Sequence, residues 1–85
     1  MGQKENSGIQ PADLEPGHAY QIDYKHVRLR RSFRAVGIFV GPGQRPPEED
    51  EIEPVDILVF EVKPRFGKPA RLPIDVPTIQ AINEP

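Results

Sequence analysis

Cysteine and tryptophan are both absent from this chain of 85 residues. Without cysteine, the protein can form neither a disulfide framework nor a metal site built from thiolates. A chain of this length makes one small domain, and such a domain buries only about 60–65% of its unfolded surface. Its stability therefore has to come from one apolar core, to which an oligomer contact would add.

Long apolar runs are also missing. Residues 1–8 are polar and do not resemble a signal peptide, and no segment approaches the roughly 18 apolar residues of a membrane-spanning helix. The formal net charge at pH 7 is −2, so the chain as a whole has no electrostatic attraction to nucleic acid or to an anionic membrane. These absences predict a cytoplasmic protein with no membrane partner, in which any binding to a polyanion depends on a local patch of charge.

Proline and glycine, by contrast, are abundant, with 11 prolines and 7 glycines. They fall mostly between short apolar runs and interrupt every window long enough for a helix, which is typical of an all-β chain with many turns. Alternation of apolar and polar residues with a period of two indicates the strands. The predicted strands cover residues 18–25, 33–41, 55–63, 70–76 and 79–82, with one turn of 3₁₀ helix at 75–78.

Several local features predict how these strands are arranged. Residues 1–13 lack periodicity and apolar content, so we expect a flexible N-terminal tail followed by one folded domain over residues 14–85. Gly37 interrupts an otherwise apolar strand, which indicates a bend or a close backbone approach. Pro73 removes a ladder donor and predicts that the fourth strand lies at an edge, or that this position faces away from its neighbour. The segment 41–54 has nothing to bury and is expected to project into solvent as a mobile connection.

Two stretches resemble a known group of folds. The first is the turn Leu14-Glu15-Pro16-Gly17 followed by Tyr20-Gln21-Ile22. The second is the ending from Arg71 to Ile82, where a strand with Leu72, Ile74 and Val76 facing inward is followed by a 3₁₀ turn and a closing strand. This order of short strands resembles the SH3-like small β-barrels. The resemblance implies an all-β fold, a five-stranded SH3-like barrel with a short 3₁₀ turn before the last strand.

The specialised binding sites of that group are not visible in this sequence. Peptide-binding SH3 domains hold proline-rich ligands with a tryptophan and a row of tyrosines, whereas this chain has no Trp and no matching row. Sm-like barrels carry an Asp- or Asn-bearing turn and an Arg-Gly turn around a base pocket, and neither is present. Because small barrels serve many unrelated functions, the resemblance implies a fold and not an activity.

Residues suited to catalysis or metal binding are sparse. His18 and His26 would lie roughly 26 Å apart in an extended strand, too far for one metal site, and are predicted to be surface residues. Ser7 and Ser32 have no base and orienting acid evident in the sequence. The acidic run at 48–53 lacks the ligand alternation and the Gly of a calcium loop. We therefore predict no catalytic residue, no metal, no small-molecule cofactor and no enzymatic activity.

Charge is concentrated in two segments of opposite sign. Five of the 11 cations fall between residues 25 and 34, and five acidic residues fall between 48 and 53. Arginine and lysine neutralise phosphates and pair with carboxylates, and a nearby aromatic ring offers a stacking surface. The candidate binding residues are Lys25, Arg28, Arg30, Arg31, Phe33 and Arg34.

Four possibilities for this chain stay open at this point. We favour contact with a protein partner or a second copy of the chain, because an exposed edge strand is suited to docking on another protein. Binding of single-stranded DNA or RNA is the main alternative, and an uncharacterised enzyme ranks third. In the remaining case, the acidic connection folds across the cations and masks them through exposed ion pairs worth only about 0–1 kcal/mol each. The sequence thus predicts a small intracellular binding module acting through residues 25–34 and the adjacent face of the barrel.

Overall fold

Five runs of alternating apolar and polar residues form strands in the computed structural model, which describes residues 8–26 and 28–85. Short 3₁₀ helices at Pro11–Asp13 and Val76–Thr78 precede the first and the last strand. No helix in the described residues is long and apolar enough to cross a membrane. The strands are β1 (Ala19–His26), β2 (Arg31–Arg45), β3 (Val55–Val62), β4 (Ala70–Asp75) and β5 (Ile79–Asn83).

All neighbouring strands are antiparallel, in the order β4-β3-β2-β1-β5. The predicted all-β class, the five strands and the 3₁₀ turn before the last strand are confirmed. The prediction that the strands close completely is corrected, because β4 and β5 are the two edges of the sheet and do not pair. Only Val76–Thr78 separates these two edges in the chain, so the sheet has to curl strongly. The turn joins β4 and β5 end to end rather than side by side, which leaves no ladder between them.

The core lies on one face of the curled sheet. Phe60, Ile22 and Ile82 are fully buried, and the rings of Phe39 and Phe60 pack with their centroids 5.4 Å apart. Burying an aliphatic or aromatic side chain of this size contributes about 1.5–3 kcal/mol. The inward face predicted for the fourth strand is confirmed at Leu72, Ile74 and Val76, whereas Ala70, which the same alternation places inward, is exposed. The remaining core residues are Leu14, Tyr20, Leu58 and Ile74, with Leu72 and Val76 packed against them.

Strand β2 is longer than predicted. It continues through Gly41-Pro42-Gly43 to Arg45, so the connection to β3 covers only residues 46–54. The β1–β2 ladder ends at the pair Ala19 and Ile38, so Pro42 has no neighbouring strand on the β1 side of β2. A proline is tolerated there because no ladder hydrogen bond needs its missing N–H. The predicted close approach at Gly37 is confirmed, since a Cβ there would lie 2.9 Å from the carbonyl oxygen of Glu61. The other four strands match the prediction to within one residue at each end.

Both edges of the sheet carry a feature that limits further pairing. Pro73 lies on the edge strand β4, as predicted, and its cross-strand partner in the register is Val59 of β3. At the opposite edge, the amide of Ile9 donates to the carbonyl of Ile82 at 2.7 Å. Ile9 also packs against the core, so part of the predicted tail lies on the sheet. The rest of that tail, residues 1–7, lies outside the described residues.

Candidate binding site on the β1–β2 hairpin

The basic segment forms the end of the β1–β2 hairpin, whose ladder finishes at the pair His26 and Arg31. Arg30 adopts a left-handed backbone conformation with φ of 52°, and its amide donates to the carbonyl of His26 at 2.8 Å. The amide of Leu29 donates to Nδ1 of His26 at 3.3 Å. These contacts within the turn fix the backbone that carries the cations at the tip.

Arg34 is paired within the sheet. It lies opposite Asp23 in the β1–β2 ladder, and its Nε donates to Oδ1 of Asp23 at 2.8 Å. A second, longer contact joins Nη2 to Oδ2 at 3.4 Å. The hydrogen bond from Arg34 lowers the pKa of the Asp23 carboxyl, and the same contact raises the pKa of Arg34. This predicted site residue thus already has an anionic partner.

Phe33 is half-buried in a small aromatic group on the hairpin. Its ring centroid lies 6.0 Å from that of Tyr24 and 6.1 Å from that of His26, the latter in an edge-to-face arrangement. The guanidinium of Arg31 sits 5.7 Å from the centre of the Phe33 ring, within the range of a cation–π contact. Phe33 therefore supports the hairpin and positions Arg31. These contacts cover part of the Phe33 ring, so less of the ring is accessible to a ligand.

Lys25, Arg28 and Arg30 are exposed at the end of the hairpin. The Nη2 atom of Arg28 lies 3.7 Å from Oε2 of Glu48, and both side chains are exposed. Among residues 8–26 and 28–85, no ion pair involves Lys25, Arg30 or Arg31. The hairpin thus holds three cations whose charge is not balanced by a described carboxylate.

The acidic connection is fastened by Arg45, the last residue of β2. Its guanidinium donates to both carboxylate oxygens of Glu51, each at 2.9 Å, and to both oxygens of Asp75, at 3.0 and 2.9 Å. All three side chains are half-buried. The hydrogen bonds that Arg45 donates to Asp75 and Glu51 raise the pKa of Arg45, so it carries its charge at any ordinary pH. The predicted mobile connection is therefore held at one point.

Glu51 also organises the turn in which it lies. The amide of Glu48 donates to Oε1 of Glu51 at 2.9 Å, and the amide of Glu51 donates to the carbonyl of Glu48, also at 2.9 Å. Hydrogen bonds from Arg45 and from the backbone of Glu48 lower the pKa of the Glu51 carboxyl. Within the acidic run, Glu51 thus has a structural role, while Glu48, Glu49 and Asp50 are exposed.

A groove separates the hairpin from the acidic connection. Its volume is about 490 Å³, and the 3₁₀ turn at Val76–Thr78 forms part of its wall. Charges of both signs line it, Lys25 and Arg28 on the hairpin side and Glu48 and Asp50 on the other. A second groove of about 550 Å³ lies between Lys25, Arg30 and the start of β5. The basic segment and the acidic connection thus face each other, an arrangement that the sequence had left open, and their one described ion pair is that of Arg28 with Glu48.

Sequence reasoning missed Arg45, although a signal was available. Arg45 is the only cation between residues 35 and 62, and it directly precedes the acidic run. An isolated cation among carboxylates is a candidate for a shared ion pair. Its other partner, Asp75, is 30 residues away, and only the register of β2, β3 and β4 brings it near.

The two histidines lie apart, on opposite ends of β1. His18 contacts Glu15, with Nε2 and Oε1 3.4 Å apart, and His26 belongs to the hairpin turn. In the described part of the chain, no group of three or more His, Asp or Glu side chains is placed to hold a metal ion.

No protein-family model, curated protein or solved structure matches this chain.

Proposed function

We propose that this protein is a small, non-enzymatic binding module that contacts a protein partner through residues 25–34 and the adjoining groove. The unbalanced cations Lys25, Arg30 and Arg31 provide the attraction, and an acidic segment of the partner is their complement. Arg34 and Phe33 support this surface from within, through Asp23 and through the ring contacts of the hairpin.

The observation that carries the protein assignment is the mixed charge of the groove between the hairpin and the acidic connection. Cations on the hairpin face Glu48 and Asp50 across it, so a ligand in the groove meets both signs. A protein segment with side chains of both signs satisfies such walls, whereas the backbone of a nucleic acid is repelled by the acidic wall. The Thr78 hydroxyl in this groove donates to the Asp75 carbonyl at 2.7 Å rather than to a base.

Single-stranded nucleic acid is the second candidate, and the second groove, between Lys25, Arg30 and the start of β5, favours it. Lys25 and Arg30 line that groove together with Thr78 and Gln80, and no acidic residue contributes to it. A phosphate there would meet two cations and two neutral hydrogen-bonding side chains.

For the fold, we infer an SH3-like barrel that is partly open. Support comes from the meander β1–β4, the register shift between Phe39 and Gly41 that bends β2, and the 3₁₀ turn between β4 and β5. This inference concerns architecture only and adds no weight to either partner.

Charge reversal on the hairpin tests the proposed function. Immobilised wild-type protein and the variant Arg30→Glu with Arg31→Glu are used to capture proteins from a lysate of the source organism. A matched control reverses two exposed cations outside the hairpin that have no role in the proposed contact, Lys68→Glu with Arg71→Glu. We expect one specific acidic protein to be retained by the wild type and the control and lost by the hairpin variant. Equal retention by all three proteins would contradict the proposal.

The nucleic-acid candidate is separated by a mobility shift with single-stranded DNA and RNA at about 50 and about 200 mM salt. We expect no shift at the lower salt concentration. A shift that disappears at the higher salt and in the hairpin variant would instead favour nucleic acid as the partner.

A further inference from the structure

Along the hairpin, the backbone N–H and C=O groups of β2 point alternately towards β1 and away from it. The amide of Phe39 donates to the carbonyl of His18 at 2.9 Å, so Phe39 is a hydrogen-bonded position facing β1. Such positions alternate along an antiparallel ladder. Ser32, Arg34 and Val36 therefore direct their N–H and C=O groups away from β1. Ile38 follows the same pattern, and it is the position at which the pairing with β3 begins.

Strand β3 ends before it reaches this part of β2. Its last residue is Val62, and the β2–β3 ladder starts only at Ile38 and Glu61. Within the described residues, no backbone hydrogen bond reaches the outward side of Ser32, Arg34 or Val36. All three residues are exposed. We call this stretch, residues 32–36, the open edge of β2.

The other two edges of the sheet are less suited to accept a strand. Pro73 leaves β4 without a donor in the middle of its outer edge. The outer edge of β5 is already used at Ile82, which accepts the amide of Ile9. The open edge of β2 has neither a proline nor a covering segment among the described residues.

Cations surround the open edge on both sides. Arg31 and Arg34 lie on β2 itself, and Lys63 and Arg65 follow directly after the end of β3. The sequence contains no acidic residue from 62 to 74. Asp23 is taken up by its pair with Arg34, and Glu61 lies at the far end of the edge, where the β2–β3 ladder begins. Arg31, Lys63 and Arg65 therefore leave this edge with a net positive charge. Two such edges repel each other, which disfavours pairing with a second copy. An incoming strand that carries carboxylates is attracted.

We propose that the open edge of β2 binds an extended acidic peptide by strand addition, continuing the sheet beyond the end of β3. This proposal rests on the proposed function and specifies how the partner is held. Outward backbone groups of Ser32, Arg34 and Val36 supply the hydrogen bonds, and the surrounding cations select for Glu and Asp in the peptide.

The test measures fluorescence anisotropy with a labelled peptide of about eight residues in which Glu alternates with Val, long enough for one strand. A second peptide has the same sequence but N-methyl groups on alternate residues, and a third is methylated in the other register. Methylation removes amide donors without changing charge. We expect the unmodified peptide to bind and methylation in one register to weaken binding by at least about tenfold, since it removes several hydrogen bonds.

Two variants of one exposed residue complete the test. Val36→Pro removes an outward N–H that does not take part in the β1–β2 ladder, and Val36→Ala keeps it. We expect Val36→Pro to weaken peptide binding by about tenfold and Val36→Ala to leave it unchanged. Circular dichroism verifies the fold of both. The methylated peptides give the same answer on the wild-type protein if Val36→Pro fails to fold.

Failure of this inference is distinguishable from failure of the proposed function. If all three peptides bind equally well, and the variant Arg30→Glu with Arg31→Glu weakens their binding, strand addition is overturned and the cationic contact is not. If no peptide binds, the inference is overturned, and the capture experiment still tests the proposed function separately. If the wild-type protein is a dimer without peptide and Val36→Pro is a monomer, the open edge of β2 binds a second copy. That result would also overturn the inference.

Discussion

Arg45 and Asp75 lie 30 residues apart in the chain, and their side chains meet in two hydrogen bonds of 3.0 and 2.9 Å. The same guanidinium holds Glu51, so one residue ties the end of β2, the acidic connection and the end of β4 together. This arrangement forms one side of the groove between the hairpin and the acidic connection, and it keeps Glu48 and Asp50 opposite the hairpin. The charge balance of the candidate site therefore depends on a contact outside the basic segment.

Replacing Arg45 by lysine is expected to loosen the acidic connection. A lysine ammonium cannot reproduce the fork of contacts to two carboxylates. We expect the amides of Glu48 and Glu51 to exchange with deuterium at least about tenfold faster in Arg45→Lys than in the wild type, with little change in β1. Arg71→Lys, an exposed position on β4, serves as the control. Unchanged exchange in Arg45→Lys would show that the connection is held in another way.

Stability is expected to decrease at acidic pH through Asp23 and Glu51. Both carboxyls have a pKa below their ordinary values of 3.8 and 4.5, because arginine stabilises the charged form. The unfolded chain thus binds more protons in acid than the folded chain does. The contribution of these pairs is fully present above the ordinary values and is lost as the pH falls through the lowered ones.

The measurement is the urea midpoint between about pH 7 and about pH 3, for the wild type and for Glu51→Gln. We expect a plateau down to about pH 5 and a decline below it, with a smaller decline in Glu51→Gln. Other carboxylates titrate in both proteins, so the difference between them is the readout. Parallel declines would contradict the role given to Glu51.

Two glycines of β2 give a matched pair for the close packing of the sheet. A Cβ on Gly37 would lie 2.9 Å from the Glu61 carbonyl oxygen, whereas a Cβ on Gly41 meets nothing within 4 Å. Gly37→Ala is therefore expected to destabilise the protein by about 1–3 kcal/mol through a forced backbone shift. Gly41→Ala is expected to be neutral or to stabilise it by up to about 1 kcal/mol, by restricting the unfolded chain. Urea denaturation compares them, and equal effects would count against this packing.

The position of the core is tested by one substitution at two sites. Ile22 is fully buried, while Ile52 in the acidic connection is 95% exposed. Ile22→Val is expected to cost about 0.5–1.5 kcal/mol in the free energy of unfolding, since it leaves a small cavity. Ile52→Val is expected to change it by less than about 0.5 kcal/mol. A larger effect at Ile52 would place the core elsewhere.

The strands were predictable because their information is local. The period of two in the apolar residues predicted the bounds of four strands to within one residue. Pro73 has no backbone N–H to donate, and this indicated that its strand lies at an edge of the sheet. The end of β2 was not predictable in this way. Gly41-Pro42-Gly43 has the composition of a turn, and it stays in the strand only because β1 is too short to face Pro42.

Closure of the sheet and the partners of the charged residues depend on long-range register. The sequence placed Arg34 among the binding cations, but the β1–β2 ladder sets it opposite Asp23. The clamp at Arg45 likewise needs β2, β3 and β4 in one alignment. Neither the open order of the strands nor the pairs of Arg34 with Asp23 and of Arg45 with Asp75 leave a local pattern that sequence reasoning can detect.

Photo-crosslinking from the hairpin tip tests the central claim most directly. A benzophenone amino acid replaces Leu29 at the tip, or Phe66 in the β3–β4 loop as a control; both side chains are exposed. After irradiation in cells, we predict a protein adduct from position 29 that resists nuclease, is absent from position 66, and disappears with Arg30→Glu and Arg31→Glu. A nuclease-sensitive adduct at position 29, or adducts of equal yield from both positions, would contradict the account.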